Sequence, residues 1–307
     1  MQILEVNDLS VSFTQYTSGL RQRTIKVIHG LHLSIQAGEV LAVVGSSGSG
    51  KSVLAHAIMG ILPRNANING TILYKGEAID PARQAAIRGK EIAFIPQSVN
   101  YLDPLMQVGA QVRFSVQKGD PAIEQKKAFE RYQLSPSVDK LYPFQLSGGM
   151  ARRVLVSTAT VSGARLVIAD EPTPGLHPAV VQETLKQFRE LADQGCAVLF
   201  ITHDIESALP IADKVAVFYA GTTVEIASAS DFSGEGHLLR HPYSKALWRA
   251  LPQNEFLPIP GFQPHPDALP EGCLFAPRCG MATSECSRVR PEMRELRGGI
   301  ARCTHAS

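Results

Sequence analysis

No stretch of eighteen apolar residues occurs in these 307 residues, so no segment reads as a helix that spans a bilayer. The amino end, MQILEVNDLSVSF, lacks a basic segment followed by an apolar one, and its alternation reads as a strand rather than a secretory leader. Charge of one sign is missing too. The 30 Lys and Arg against 28 Asp and Glu leave a net +2, too weak a bias to argue for nucleic acid or an anionic membrane surface. Cysteine is scarce: there are five, and four of them (Cys273, Cys279, Cys286 and Cys303) crowd into the last 35 residues. A chain this long buries a core without disulfide staples. A cytosolic setting is expected, and in a reducing compartment such clustering suggests metal or cluster ligation more than disulfides.

What is present is an ordinary globular balance of 44% hydrophobic and 19% charged residues, with no internal repeat. At roughly 150 residues per domain, the length suggests two units. The first 75 residues alternate short β-rich runs with turn signals, and 14–24 reads as long and irregular. VLAVVG (40–45) is wholly apolar up to its glycine, which suits a parallel strand buried on both faces. SVLAHAIMGIL (52–62) has helical spacing and stops at Pro63. EIAFIP (91–96), RLVIAD (165–170) and AVLFIT (197–202) repeat the buried-strand pattern. A helical run over 180–195 connects the last two as a βαβ unit. Residues 98–160 carry Pro/Gly breaks and amphipathic stretches such as AIEQKKAFERYQL, and read as a helical insertion. KVAVFYAGTTVEIA (214–227) reads as a strand and hairpin. PQNEFLPIPGFQPHPDALPEG (252–272) holds six prolines and two glycines, which excludes a regular element and reads as an extended linker.

The sharpest motif is GSSGSGKS (45–52), set between a strand and a helix. Gly45, Ser46, Gly48, Ser49 and Gly50 let backbone N–H groups wrap around phosphates at a helix N-terminus. Lys51 would reach the β- and γ-phosphates, and Ser52 would ligate Mg²⁺. LVIADE (166–171) ends a buried strand in two carboxylates, at the edge where α/β ligand sites lie. Asp170 would hold the Mg²⁺ shell and Glu171 would polarise the attacking water. LSGGM (146–150) opens a helix and reads as a second anion cradle, which suggests that two copies share a nucleotide.

Together these motifs resemble the ATP-binding cassette (ABC) ATPases, in that family's order and across essentially the whole chain. The resemblance implies an α/β fold: a P-loop ATPase core with an antiparallel β subdomain, an α-helical subdomain and a small Cys-containing C-terminal extension. The implied boundaries are a nucleotide-binding domain over 1–230, its helical part at about 98–160, and the extension over 231–307. The resemblance assigns Gln97 to the Q-loop glutamine that touches Mg²⁺ and the membrane partner. It assigns Ser147, Gly148 and Gly149 to the signature that grips the γ-phosphate across a dimer, and His203 to the switch histidine. Phe13 falls where the family stacks an aromatic on adenine, with Tyr16 as its rival.

Four further segments are similar to the oligopeptide, dipeptide and nickel importers: YPFQLSGGMARR, LDPLMQVGAQV, HPYSKALWRALP and the terminal cysteine motif. That branch implies an ATP-hydrolysing motor driving uptake of peptides, nickel or a metal chelate. Its partners would be two transmembrane permease subunits, a second related ATPase and, indirectly, an extracytoplasmic solute-binding protein. The chain would sit peripherally on the cytoplasmic face of the membrane and bind no nucleic acid. The alternative is a soluble ABC ATPase uncoupled from transport. PTPGLH (172–177) departs from the family's usual PTSALD: Pro174 and His177 stand where a Ser or Thr and an Asp are usual, which points to a heterodimer with unequal sites. The terminal cysteines are separated by five, six and sixteen residues with no C-x-x-C pair, a poor zinc pattern. Four thiolates suit a [4Fe–4S] cluster, and the branch resemblance points the same way; zinc, free thiols and disulfides remain alternatives. Lying far along the chain from the phosphate loop, such a cluster would be structural. Cys196 reads as buried packing.

Overall fold

The computed structural model describes all residues except Ser18, Leu20 and Ser307. Two sheets organise it. Strands β1 (Gln2–Tyr16) and β2 (Gln22–Gln36) form a long antiparallel pair, extended later in the chain by β4 (Ala66–Tyr74) and β5 (Glu77–Ala78), in the order β2-β1-β4-β5. The irregular segment expected over 14–24 is corrected at 14–16 and 22–24, while Ser18 and Leu20 lie outside the described residues. Tyr16 pairs with Gln22 and Thr14 with Thr24, so the ladder runs almost to the turn. The alternation Ile25, Lys26, Val27, Ile28 is readable as strand once the partner is known, because one face is buried.

The second sheet is built on β3 (Val40–Gly45), which leads into α1 (Lys51–Met59). After α2 (Pro81–Ile87) it adds β6 (Ile92–Ile95), β7 (Leu166–Asp170), β8 (Ala197–Ile201), β9 (Lys214–Tyr219) and β10 (Thr222–Ser228). The strands from β9 through β3, β8 and β7 to β6 are parallel. The helices α3 (Val108–Ser115), α4 (Pro121–Arg131) and α5 (Gly148–Thr160) lie between β6 and β7 and pack around their own core of Val108, Val112, Phe129, Val154 and Leu155, as the helical insertion expected. The helices α6 (Pro178–Asp193) and α7 (Ile205–Ala208) precede and follow β8.

Every residue of β3 is buried. Val40, Ala42 and Val44 enter the core shared with α6, while Leu41 and Val43 enter the core beneath β1 and β2. Burial on both faces is why the strand is apolar without alternation. The carboxyl edge of this parallel array is where the chemistry gathers.

The chain beyond residue 230 adds α8 (Pro242–Arg249), α9 (Ser284–Arg288), β11 (Arg294–Leu296) and β12 (Gly299–Ala301). Segment 252–272 contains no regular helix or strand, as its prolines dictate. The sequence pattern did not reveal that β12 pairs with β10, so the terminal strands complete an eight-stranded sheet. A buried ion-pair network fixes this junction: the Glu225 carboxylate accepts from the backbone N–H of Arg240 and of His241, each at 2.8 Å, and Arg240 also pairs with Asp231 at 2.7 Å. No described helix is long and apolar enough to cross a membrane.

Candidate functional site

Gly45 ends β3 with φ +154°, and a Cβ there would collide with the Phe218 carbonyl, so the turn into the loop requires glycine. Gly50 takes φ +94° as the cap of α1. The Lys51 ammonium donates to the carbonyls of Gly45 at 2.9 Å and Ser46 at 3.0 Å, so the loop closes around its own lysine. Burial lowers the Lys51 pKa, and the nearby Glu171 and Asp170 charges oppose that shift. Ser49 is buried within the loop and its hydroxyl has no partner.

Asp170 closes β7 and is 1% exposed. Burial raises its pKa, while a hydrogen bond from Ser52 and the charge of His56 act against the rise. Its Oδ1 is buried and unpartnered, a costly arrangement that a cation at this point would relieve. Ser52 and Asp170 thus offer the oxygen donors a Mg²⁺ ion takes. Glu171 follows with φ +46°, the left-handed region that non-glycine residues rarely adopt. Its N–H donates to the Ile201 carbonyl at 2.9 Å, which holds that turn against β8. One carboxylate oxygen lies 3.0 Å from His203 Nδ1, and the other accepts from Gln97 Nε2 at 3.4 Å. Gln97, Asp170, Glu171, His203, Lys51 and Ser52 therefore converge at one strand edge.

The sequence reading missed Arg152, which is 8% exposed within α5. Its guanidinium donates to the carbonyls of Pro96 at 2.9 Å and Gln97 at 2.5 Å, so the helical subdomain grips the Q-loop backbone directly. Its only sequence signal was an arginine five positions after Ser147.

Ser147 caps α5 by accepting from the Met150 N–H at 3.3 Å, and Gly149 lies against the Gly175 carbonyl. Among the described residues no hydrogen bond ties Ser147, Gly148 or Gly149 to the Lys51–Glu171 cluster. Phe13 sits in β1 opposite Ile25 and Ala66, half-buried against the core beneath β3, while Tyr16 is exposed and accepts from Gln22 Nε2 at 3.0 Å. His177 serves as the N-cap of α6, its Nδ1 accepting from the Ala179 N–H at 3.4 Å.

Cys273, Cys279, Cys286 and Cys303 line one small cavity of about 10 Å³, together with His241 and His305. All four are free thiols. Burial raises the pKa of Cys273, Cys279 and Cys303, whereas hydrogen bonds with Thr283 lower that of Cys286. Among the described residues no group of three or more His, Cys, Asp or Glu is placed to hold one metal ion. Cys196 is buried elsewhere, its thiol pushed up to about 11 and donating to the Ala197 carbonyl at 3.3 Å, in line with a packing role. Distance along the chain misled in one respect. The Pro-rich segment folds back onto the phosphate loop, where the Ser46 hydroxyl donates to Gln263 Oε1 at 2.6 Å.

A glycine-rich loop between β3 and α1, the carboxylates of Asp170 and Glu171 at the end of β7, and a helical insertion, all set on a sheet whose central strands are parallel, have the architecture of an ATP-binding cassette. A solved cassette in a post-hydrolysis state bound to ADP and Pi matches 74% of this chain and 99% of its own, with a TM-score of 0.64 at 22% identity, which is agreement in fold. The ABC transporter family profile matches residues 28–174, and that of the oligopeptide/dipeptide transporter C-terminal region matches 224–286. The oligopeptide transport ATP-binding protein OppD of Salmonella typhimurium is 36% identical over 94% of this chain and 89% of its own length. The dipeptide transport ATP-binding protein DppD of Bacillus subtilis is 34% identical over 94% of this chain and 90% of its own. The chain belongs to the ABC transporter ATP-binding family, in the branch that carries the oligopeptide/dipeptide transporter C-terminal region. It is an ATP-hydrolysing subunit of an importer.

Proposed function

We propose that this chain hydrolyses ATP at the Lys51–Glu171 site to drive uptake of short peptides through separate membrane subunits. The observation that carries the reading is the Glu171 carboxylate, held between Gln97 and His203 beside the phosphate loop. Lys51 exchanges the Gly45 and Ser46 carbonyls for β- and γ-phosphate oxygens, and the loop's N–H groups wrap the phosphates. Ser52 and Asp170, with Gln97 alongside, would hold a Mg²⁺ ion, whose charge would neutralise those phosphates. Glu171 orients and deprotonates the attacking water, and His203 contacts the γ-phosphate and steadies the carboxylate. Ser147, Gly148 and Gly149 complete the site of a second ATPase subunit, consistent with their separation from this chain's own cluster. Phe13 stacks on adenine.

The boundaries proposed are 1–230 for the nucleotide-binding domain and 231–307 for the extension. The expected membrane partner is supported by a groove of about 350 Å³ beside the Q-loop, where Tyr101, Met106 and Phe114 lie alongside the polar Asp103 and Gln111. There Leu105 is 87% and Phe114 85% exposed, more apolar surface than a solvated loop needs. Two permeases dock on such faces, placing the chain on the cytoplasmic side of the membrane, with the solute-binding protein acting across it. His177 supports a heterodimer: as a helix cap it fills the local role of the usual Asp but carries no fixed negative charge toward a partner site. The relatives named above carry oligopeptides or dipeptides in their names, which favours peptide over nickel as cargo.

The four C-terminal thiols support a [4Fe–4S] cluster by donor type and convergence. The cavity is too small for it unless the four side chains move apart. Its role would be a clasp.

Uptake of a labelled tripeptide by vesicles containing the assembled importer tests the cargo. Uptake should require ATP and be displaced by unlabelled peptide; ATP-driven nickel uptake unaffected by peptide would contradict it.

A further inference from the structure

We propose that Gln263 is a positioning residue for nucleotide binding, clamping the phosphate loop from the Pro-rich segment at 252–272. The inference rests on the reading of residues 45–52 as the ATP phosphate site. A single oxygen does the clamping. Gln263 Oε1 accepts from the Ser46 hydroxyl at 2.6 Å and from the Ala220 N–H at 3.2 Å, joining the loop to the β9–β10 turn.

The segment itself is anchored on both sides of Gln263. The Arg278 guanidinium donates to the carbonyls of Ile259 at 3.1 Å and Pro260 at 2.7 Å, and Asp267 pairs with Arg23 of β2 at 2.7 Å. Prolines on either side, Pro260 and Pro264, narrow the backbone freedom further. Burial raises the pKa of Tyr243 of α8, and hydrogen bonding with Ser46 acts against that rise. Tyr219 and Tyr243 each meet Phe275 edge-on at 5.3 Å and each other at a tilt at 4.5 Å, which makes the support under the loop rigid.

Ser46 is the pivot. Its carbonyl receives the Lys51 ammonium and its hydroxyl is held by Gln263. Gly45, Gly48 and Gly50 all adopt positive φ, so the loop has little intrinsic order of its own. An external clamp holds its N–H groups in the phosphate-binding arrangement before ATP arrives, so less ordering remains to be done on binding. Among the described residues no hydrogen bond joins Gln263 to Glu171 or His203, so the chemical step is untouched.

The test is steady-state kinetics of the assembled importer with Gln263→Leu, Ser46→Ala and the double variant. Gln263→Leu should raise the KM for ATP about three- to tenfold, the effect of one net hydrogen bond, with kcat unchanged. Ser46→Ala should also raise the KM, and the double variant should fall short of the sum of the two single effects, because the Ser46–Gln263 bond is lost in both while the Ala220 bond to Gln263 is lost only with Gln263→Leu. An unchanged KM, a fall in kcat alone, or additive effects would overturn the proposal, since a general packing role of Gln263 gives additivity. Ser46→Ala leaves the segment in place and decides the matter if Gln263→Leu does not fold. Lys51→Ala separates the two readings. Wild-type ATP use by that variant removes the phosphate site itself, whereas its failure beside a wild-type Gln263→Leu removes the clamp alone.

Discussion

Glu171→Gln in the assembled importer is expected to keep ATP binding and to lose turnover by at least about tenfold, the lower part of the range for a general base. The amide retains the shape, and its oxygen still accepts from Gln97, which stands 3.4 Å from the carboxylate. It removes the anion that takes the water's proton. The left-handed turn at φ +46° is set by the Glu171 N–H bond to Ile201 and by β8, so the substituted side chain arrives at the same place. Lys51, Ser52 and Asp170 are undisturbed, so nucleotide is expected to bind and, with the proposed second ATPase subunit present, a closed dimer to accumulate because hydrolysis would no longer reopen it. ATP titration and phosphate release on one preparation separate the two effects. Unchanged hydrolysis would remove Glu171 from its role.

Anaerobically purified chain is expected to be brown and to hold iron and sulfide in equal amounts, about four of each per chain. Cys279→Ser should lose the chromophore and loosen the segment around α9. Cys273 and Cys286 already face each other across the backbone, the Cys273 N–H donating to the Cys286 carbonyl at 2.8 Å, so two ligand-bearing turns are held in place by the chain itself. Cys303 follows β12, which is tied to the core sheet through β10. Ligation would staple these turns to one point, joining the small cluster of Ala301, Cys303 and Ala306 to the main core against which Cys273 and Cys279 pack. Colourless protein, with stoichiometric zinc or with no metal, would defeat the cluster.

Sequence pattern revealed the strands buried on both faces, because an apolar run such as VLAVVG has few other fates. β3, β7 and β8 lie within a residue of where periodicity set them. The phosphate loop, Asp170 and Glu171 were equally legible, since their chemistry needs those residue types at that spacing. Long-range pairing was not legible. Nothing in GIA (299–301) says that it will pair with β10, and nothing in a Pro-rich stretch says that Gln263 will reach Ser46. Arg152 was hidden for the same reason: its partners are backbone carbonyls 55 and 56 positions away, which carry no side-chain signature. The β1–β2 ladder was misread around Tyr16 because polar residues at its exposed end resemble a loop.

The most direct test of the motor assignment is the ATP hydrolysis rate of the reconstituted importer, measured with and without its peptide-loaded solute-binding protein. Hydrolysis is expected to rise when the loaded binding protein is present and to disappear with Lys51→Ala. Hydrolysis indifferent to the loaded binding protein, or persisting without Lys51, would contradict that assignment.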